Sequence, residues 1–214
     1  RLDCIPAVTR RAFLQCTKFS WLQPPWYLAG GTALALQVGH RSSVDLDFFI
    51  PKVQFNEIAL ERQLLATKRW TTSLRQTGTI YGTLQQAKVS FIAYPFFVPS
   101  SQQLRCGAVR ILTPADVATM KIIAISQRGR KRDFIDVYWY CLKREPLSAI
   151  VQRATEQYPG QEQNLNHILR SLTYFADADA DPMPKIFFKA NWSAVKKFFR
   201  TEVPKVAREF LGLK

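Results

Sequence analysis

Histidine is scarce in this 214-residue chain, with only His40 and His167, and the four cysteines (Cys4, Cys16, Cys106, Cys141) are scattered without a Cys-x-x-Cys pair. A structural zinc site has too few ligands at the right spacing to be expected. Free thiols in a reducing cytoplasm are the plain reading. No apolar run approaches the roughly 20 residues that a membrane-spanning helix needs, so no membrane partner is expected. No signal peptide is visible, and a trimmed leader or tag would account for a chain that starts at Arg1. Internal repeats and low-complexity tracts are lacking too. The alternating Ala176–Asp181 segment looks like a Ca²⁺ loop at first sight, but it lacks the glycine and terminal glutamate of an EF-hand. A solvated loop is expected there.

Acidic residues are also in short supply. Sixteen Asp and Glu face 30 Lys and Arg, a net charge of +14. The excess is not confined to a tail, because residues 1–115 carry 13 basic and 5 acidic side chains and residues 116–214 carry 17 and 11. A cleft between two positive portions suits an anionic substrate larger than a mononucleotide, since phosphates dominate nucleic-acid affinity. The competing reading is basic surface for solubility or for an acidic protein partner. A content of 47% hydrophobic and 13% aromatic residues gives the chain enough apolar mass for one large folded domain or two small ones.

Residues 3–22 look helical, with Ile5, Val8, Phe13, Leu14 and Phe19 as apolar contacts, and Pro24-Pro25 should stop that helix. Phe55 to Lys68 reads as an amphipathic helix with Ile58, Leu60, Leu64 and Leu65 inward. Leu74 to Leu84 suits a strand pair, and Lys88–Tyr94 and Val109–Leu112 suit single strands. Thr113 before Pro114 is a good helix start. From there helices fit Ala115–Gln127, Arg132–Lys143, Leu147–Gln157, Asn164–Phe175 and Trp192–Phe210, with a basic loop at Arg128–Lys131. The expected fold class is therefore α/β, with an α/β lobe over residues 1–113 and a helical lobe over residues 114–214.

The most informative stretch is Trp26 to Ile50, WYLAGGTALALQVGHRSSVDLDFFI. Tyr27 and Leu28 lead as a strand into Gly30 and Gly31, where a backbone without side chains can turn sharply and approach a ligand. Thr32 and the run Ala33–Val38 then suit a short helix, whose N-terminus is a ready phosphate site. Beyond it, Val44-Asp45-Leu46-Asp47-Phe48 alternates, which puts Asp45 and Asp47 on one face and Leu46 on the other. Two carboxylates opposite a phosphate-binding turn suit Mg²⁺, which takes one or two carboxylates plus phosphate oxygens. Seen singly, the Gly pair could be an ordinary turn and the Asp pair the solvated face of an edge strand. Aspartate is depleted in strands, however, and here two flank a leucine in an apolar run.

This arrangement resembles the nucleotidyltransferase signature of the DNA polymerase β superfamily, a Gly-Gly or Gly-Ser pair followed by Asp-x-Asp on a strand. With Gly39-His40-Arg41-Ser42-Ser43 just before the Asp pair, it is similar more narrowly to the AbiEii/AbiGii toxin family of nucleotidyltransferases. A second match lies at Lys121-Ile-Ile-Ala124 and Arg132-Asp133-Phe-Ile-Asp136-Val-Tyr138. Without the resemblance, that stretch could equally be two amphipathic helices around a solvent loop. The resemblance implies a nucleotidyltransferase-type mixed sheet with flanking helices, followed by the C-terminal helical lobe. It also implies that Lys121 contacts phosphates and that Asp136, with Asp133 as runner-up, completes the acidic cluster. The broader superfamily places a third carboxylate on a later strand, where this chain has Ser90 or Lys88; the toxin-like family often lacks that acid as well.

The expected chemistry is Mg²⁺-dependent transfer of a nucleoside monophosphate from an NTP to an acceptor hydroxyl. Asp45 and Asp47 would hold metal, and Gly30, Gly31 and Thr32 would cradle the triphosphate. Lys121 and Arg41 would offset its charge, with Ser42 or Ser43 donating a further hydrogen bond. Asp136 would serve as general base or third ligand. The resemblance further implies RNA, tRNA 3′ ends in particular, as acceptor, a toxin role in a toxin–antitoxin or abortive-infection system, a cognate antitoxin partner and a cytoplasmic setting. A small-molecule or protein hydroxyl as acceptor, and a non-catalytic nucleotide-binding module, stay open as other classes.

Overall fold

Proline decides where the first helix begins. The computed structural model describes residues 1–159 and 165–211. Instead of one helix over residues 3–22, a 3-10 turn at Leu2–Cys4 precedes helix α1 at Ala7–Cys16. Ile5 is extended because the ring of Pro6 disfavours a helical conformation in the residue before it. The helix ends where the Thr17 hydroxyl donates to the Leu14 carbonyl and the Thr17 carbonyl accepts from Ala108 N–H. Pro24-Pro25 thus lies in the link to β1, past the end of the helix.

The strands are β1 Tyr27–Ala29, β2 Leu46–Ile50, β3 Trp70–Gln76, β4 Thr79–Leu84, β5 Ala87–Ala93, β6 Gln103–Cys106 and β7 Val109–Leu112. They form one seven-stranded sheet in the order β3-β4-β5-β2-β1-β7-β6. The sheet is mixed: β2 runs parallel to β5 and β1 parallel to β7, while the remaining neighbours are antiparallel. Sequence periodicity missed β6. Its run Gln-Leu-Arg-Cys alternates over only four residues, too few to stand out, and depends on its hairpin with β7.

Alternation divides the central strands between two faces. Leu46, Phe48 and Ile50 are buried on one side, where Phe48 stacks on Phe91 at 5.3 Å and Trp26 and Trp70 meet Phe91 edge-on. Asp47 and Phe49 point to the other side. Helix α2, Gly30–Val38, follows β1 directly. Helix α3, Glu57–Ala66, is capped by the Asn56 side chain accepting from Ala59 N–H. It buries Leu60 and Leu64, but Ile58 and Leu65 face solvent, contrary to expectation. The sheet contacts this short helix along a stripe too narrow for all four residues. Leu14 of α1 is likewise exposed.

Among the described residues, everything after β7 is helical or irregular: α4 Pro114–Arg128, α5 Lys131–Lys143, α6 Leu147–Gln157, α7 Leu165–Ser171, α8 Ala176–Asp179 and α9 Trp192–Leu211. The Thr113 side chain caps α4 by accepting from Asp116 N–H, with Pro114 in the first turn. The expected basic loop shrinks to Gly129-Arg130, because Arg128 and Lys131 are helical. The expected helix over 164–175 ends at Ser171, and its first residue lies outside the described residues. Ala176–Asp179 is a short helix where a solvated loop was expected. Asp179 accepts from Trp192 Nε1 and Lys196, and Asp181 pairs with Arg130. One continuous core runs from Ile5 to Val206, and it crosses position 113 without interruption. Among the described residues no helix is long and apolar enough to cross a membrane.

Candidate active site

A cleft of about 730 Å³ lies between the second face of the sheet and helix α4. Gly30, Gly31, Asp45, Asp47 and Ser90 line its sheet side, while Met120, Lys121 and Ala124 line its helix side. Arg128 and Arg132 stand at the junction of α4 and α5, and Lys88 lines the cleft from β5. The two aspartates and the glycine corner therefore converge on one space.

The corner is tight, and each glycine is required for a different reason. Gly30 has φ +72°, a left-handed conformation that favours glycine, and it lets the chain pass directly from β1 into α2. The Ala29↔Asp47 pairing brings Asp47 opposite this turn, so a Cβ on Gly30 would lie 2.9 Å from Asp47 Oδ2. A Cβ on Gly31 would lie 2.2 Å from Arg41 Nη2, well inside contact distance. Arg41 cannot yield because its guanidinium is anchored behind the corner. Gly31→Ala is accordingly expected to cost about 1–3 kcal/mol of stability through overpacking. Thermal melting measures that loss, and NTP turnover should fall with it.

Thr32 is buried, and its hydroxyl donates to the Asp45 carbonyl oxygen and shares a 2.9 Å hydrogen bond with Ser43 Oγ. Its side chain pins the approach to β2 and does not line the cleft. The backbone N–H groups at the start of α2 have no partner within the helix. Ser43 lines the cleft, whereas Ser42 turns to the helical part of the chain, donating its N–H to the Lys185 carbonyl.

Behind the cleft sits a buried charge cluster. Arg41 makes a two-pronged contact with Asp136, Nε to Oδ1 at 2.6 Å and Nη2 to Oδ2 at 2.8 Å. The His40 Nε2 lies 2.7 Å from the same Oδ1, and Lys121 Nζ lies 3.1 Å from Oδ2. Lys121 also contacts Asp133, which pairs in turn with Arg128 at 3.2 Å. Burial alone would raise the Asp136 carboxyl; Arg41 and then Lys121 outweigh it and hold Asp136 well below the usual carboxylate range. Asp133 is likewise lowered, with Lys121 and Arg128 overcoming burial. Neither carboxylate lines the cleft: both are fully buried and act on it through the cations they hold.

Asp45 and Asp47 differ from that pair. Asp45 is partly exposed, with the half-exposed Arg132 3.7 Å away. The Asp47 Oδ1 accepts from Ser90 Oγ at 2.6 Å. Burial raises the Asp47 carboxyl, and the charge of Asp45 raises it further, against the pull of Ser90, Lys121 and Arg132. A carboxylate so placed is short of positive charge. Ser90 is the register partner of Asp47 on β5, so a hydroxyl stands directly beside the first acid pair. Lys88, two residues earlier, shares that strand face.

Several of these groups went unassigned at the level of sequence. Arg128 and Arg132 sat within a basic run, and a run of charges does not reveal which members turn inward. His40 stood next to Arg41, but its link to a residue 96 positions later had no local signal.

A mixed sheet with an Asp-x-Asp strand facing a Gly-Gly helix start, roofed by a lysine-bearing helix, defines a nucleotidyltransferase. The family model described as nucleotidyl transferase AbiEii toxin, type IV toxin–antitoxin system, matches residues 12–97 and 89–211, and the chain belongs to that family. An uncharacterized protein of Aquifex aeolicus is 32% identical over 184 residues, covering 83% of this chain and 86% of the relative. Among solved structures, the nucleotidyltransferase toxin MenT4 of Mycobacterium tuberculosis superposes with a TM-score of 0.55 at 13% identity, covering 94% of this chain and 86% of that one. JHP933 of Helicobacter pylori gives a TM-score of 0.51 at 14% identity, over 98% and 97% of the two chains. At these identities the structural likeness establishes the fold.

Proposed function

We propose that this nucleotidyltransferase moves a nucleoside monophosphate from an NTP to a hydroxyl of RNA, the 3′ end of tRNA in particular, with Mg²⁺ bound at Asp45 and Asp47. The observation that carries this reading is the convergence of both carboxylates on the Gly30-Gly31 corner within a cation-lined cleft. The donor set fits the ion. Asp47 is desolvated and electrostatically strained by Asp45, a deficit that a divalent cation corrects. Among the described residues no cluster of three or more His, Cys, Asp or Glu could cage a metal, and with two carboxylates the remaining ligands of Mg²⁺ would be water and phosphate oxygens. Bound there, the ion supplies Lewis-acid polarisation of phosphate oxygens and lowers the pKa of the acceptor hydroxyl.

The chain's own residues supply position and charge. The N–H groups of Gly31 and Thr32 and the hydroxyl of Ser43 face the triphosphate. Lys121 and Arg41 are held rigid by Asp133 and Asp136, and they offset charge that grows on the phosphates. In-line attack forms a bond between the acceptor oxygen and the α-phosphorus, breaks the α–β bridge, and releases pyrophosphate and the hydroxyl proton. Asp136 and Asp133 serve here as positioning residues, in place of the base or third-ligand role implied by resemblance, because their oxygens are already held by Arg41, Lys121 and Arg128.

The net charge of +14 favours a polyanionic acceptor. The family favours a toxin role, with a cognate antitoxin acting directly or through transcription. Incubation with total tRNA and each α-labelled NTP in turn tests the reading. Label in RNA with pyrophosphate release supports it; pyrophosphate without labelled RNA points to another acceptor, and neither product would refute transfer itself.

Ser90→Ala offers a milder test of the same site. Loss of the hydrogen bond that orients Asp47 is expected to raise the half-saturating Mg²⁺ concentration by about 10-fold or more. Metal titration of pyrophosphate release measures it.

A further inference from the structure

The segment from Pro182 to Ala190 takes no part in the chemistry above, yet it is laid along the loop that carries it. Ser42 donates its N–H to the Lys185 carbonyl and Phe187 donates its N–H to the His40 carbonyl, both at 2.8 Å, and Arg41 and Ile186 form an antiparallel bridge. Exposure alternates along residues 185–189. Ile186 and Phe188 accordingly turn in against the core, while Lys185, Phe187 and Lys189 face solvent. Phe187 is 47% exposed, and Lys185 Nζ lies 5.7 Å from its ring centroid. Among the described residues neither Lys185 nor Lys189 lies within ion-pair distance of a carboxylate.

An exposed ring between two uncompensated cations offers both groups that a single nucleic-acid strand requires. Bases stack on the ring, and phosphates pair with the ammonium groups. The strip also abuts the chemistry: Ser42, which it grips, is three residues from Asp45, at most about 11 Å of chain. We propose that Lys185, Phe187 and Lys189 form a docking strip for the single-stranded end of the acceptor, with Phe187 stacking on a base upstream of the reacting hydroxyl. The proposal rests on RNA being the acceptor. Charge decides the class of occupant, since Lys185 beside the ring and Lys189 two residues on, in a strongly basic chain, complement a polyanion.

Binding of a short, 5′-labelled single-stranded oligoribonucleotide, followed by fluorescence anisotropy without NTP or metal, tests the strip. Phe187→Ala should weaken binding about tenfold, and Phe187→Trp should preserve it. The Lys185→Gln/Lys189→Gln double variant should reduce the slope of log affinity against log salt by about 1 to 1.5. The KM for NTP should stay unchanged in all three variants. If wild type binds and Phe187→Ala binds within about twofold of it, the strip is refuted while the RNA reading stands. If wild type binds no RNA, the RNA reading itself fails, and the strip with it.

Discussion

Asp47→Ala and Asp45→Ala are expected to reduce nucleotidyl transfer by roughly a thousandfold or more, equivalent to about 4 kcal/mol of transition-state stabilisation. Each removes one of the two carboxylates that open onto the glycine corner, and no other described acid lines the cleft to replace it. Stability should move the other way at one of them. Asp47 is half-buried and strained by the neighbouring charge of Asp45, so Asp47→Asn keeps the shape, removes the partly desolvated charge and should melt at a higher temperature. Label transfer and thermal melting on the same preparations measure both. Transfer at wild-type rates by either alanine variant would show the metal assignment to be wrong.

The second large effect is on the fold. Asp136→Ala leaves Arg41, Lys121 and His40 around a vacated position in the interior, with Arg41 and Asp136 both buried. Removing one partner of a buried ion pair typically costs about 3–5 kcal/mol. For a chain of this size that corresponds to a drop of about 10 °C in melting temperature. Activity should fall as well, since Arg41 and Lys121 lose the anchor that aims them. Asp136→Asn keeps the volume and some hydrogen bonding and should cost less than alanine.

Acid titration separates charge from packing. The folded Asp136 carboxyl is held well below its unfolded value. Its contribution is therefore complete above the unfolded pKa, near 4, and is lost as pH falls through the lower folded value. Denaturant melts between neutral pH and pH about 2 should show a larger loss in wild type than in Asp136→Asn, where Asp133 still titrates. Equal acid sensitivity in both proteins would exclude Asp136 as its source.

What could be read in advance was the chemistry with a local signature. Gly30-Gly31 before a short helix, the alternation around Asp45 and Asp47, and the Thr113-Pro114 start of α4 each follow from neighbours in the chain. Relations between distant segments could not be read that way. That Ser90 stands beside Asp47 depends on β2 pairing with β5 in one register, and a shift of one residue would bring Phe91 or Val89 there instead. That Arg41 is held by a carboxylate 95 residues later has no trace in either segment. The exposure of Ile58 and Leu65 shows the same limit, because periodicity marks an apolar face without saying how much sheet there is to cover it.

The grip of Asp136 on His40 and Arg41 ties the part of the chain that carries the glycine corner to the helices that follow β7. A fragment ending at Leu112 would retain the glycine corner and both cleft-facing acids, yet its inward arginine would have no counter-ion and the cleft no roof. Split-protein or domain-swap engineering at that junction should therefore yield an inert N-terminal piece. Complementation by the helical piece would have to rebuild that ion cluster together with the core that spans the junction.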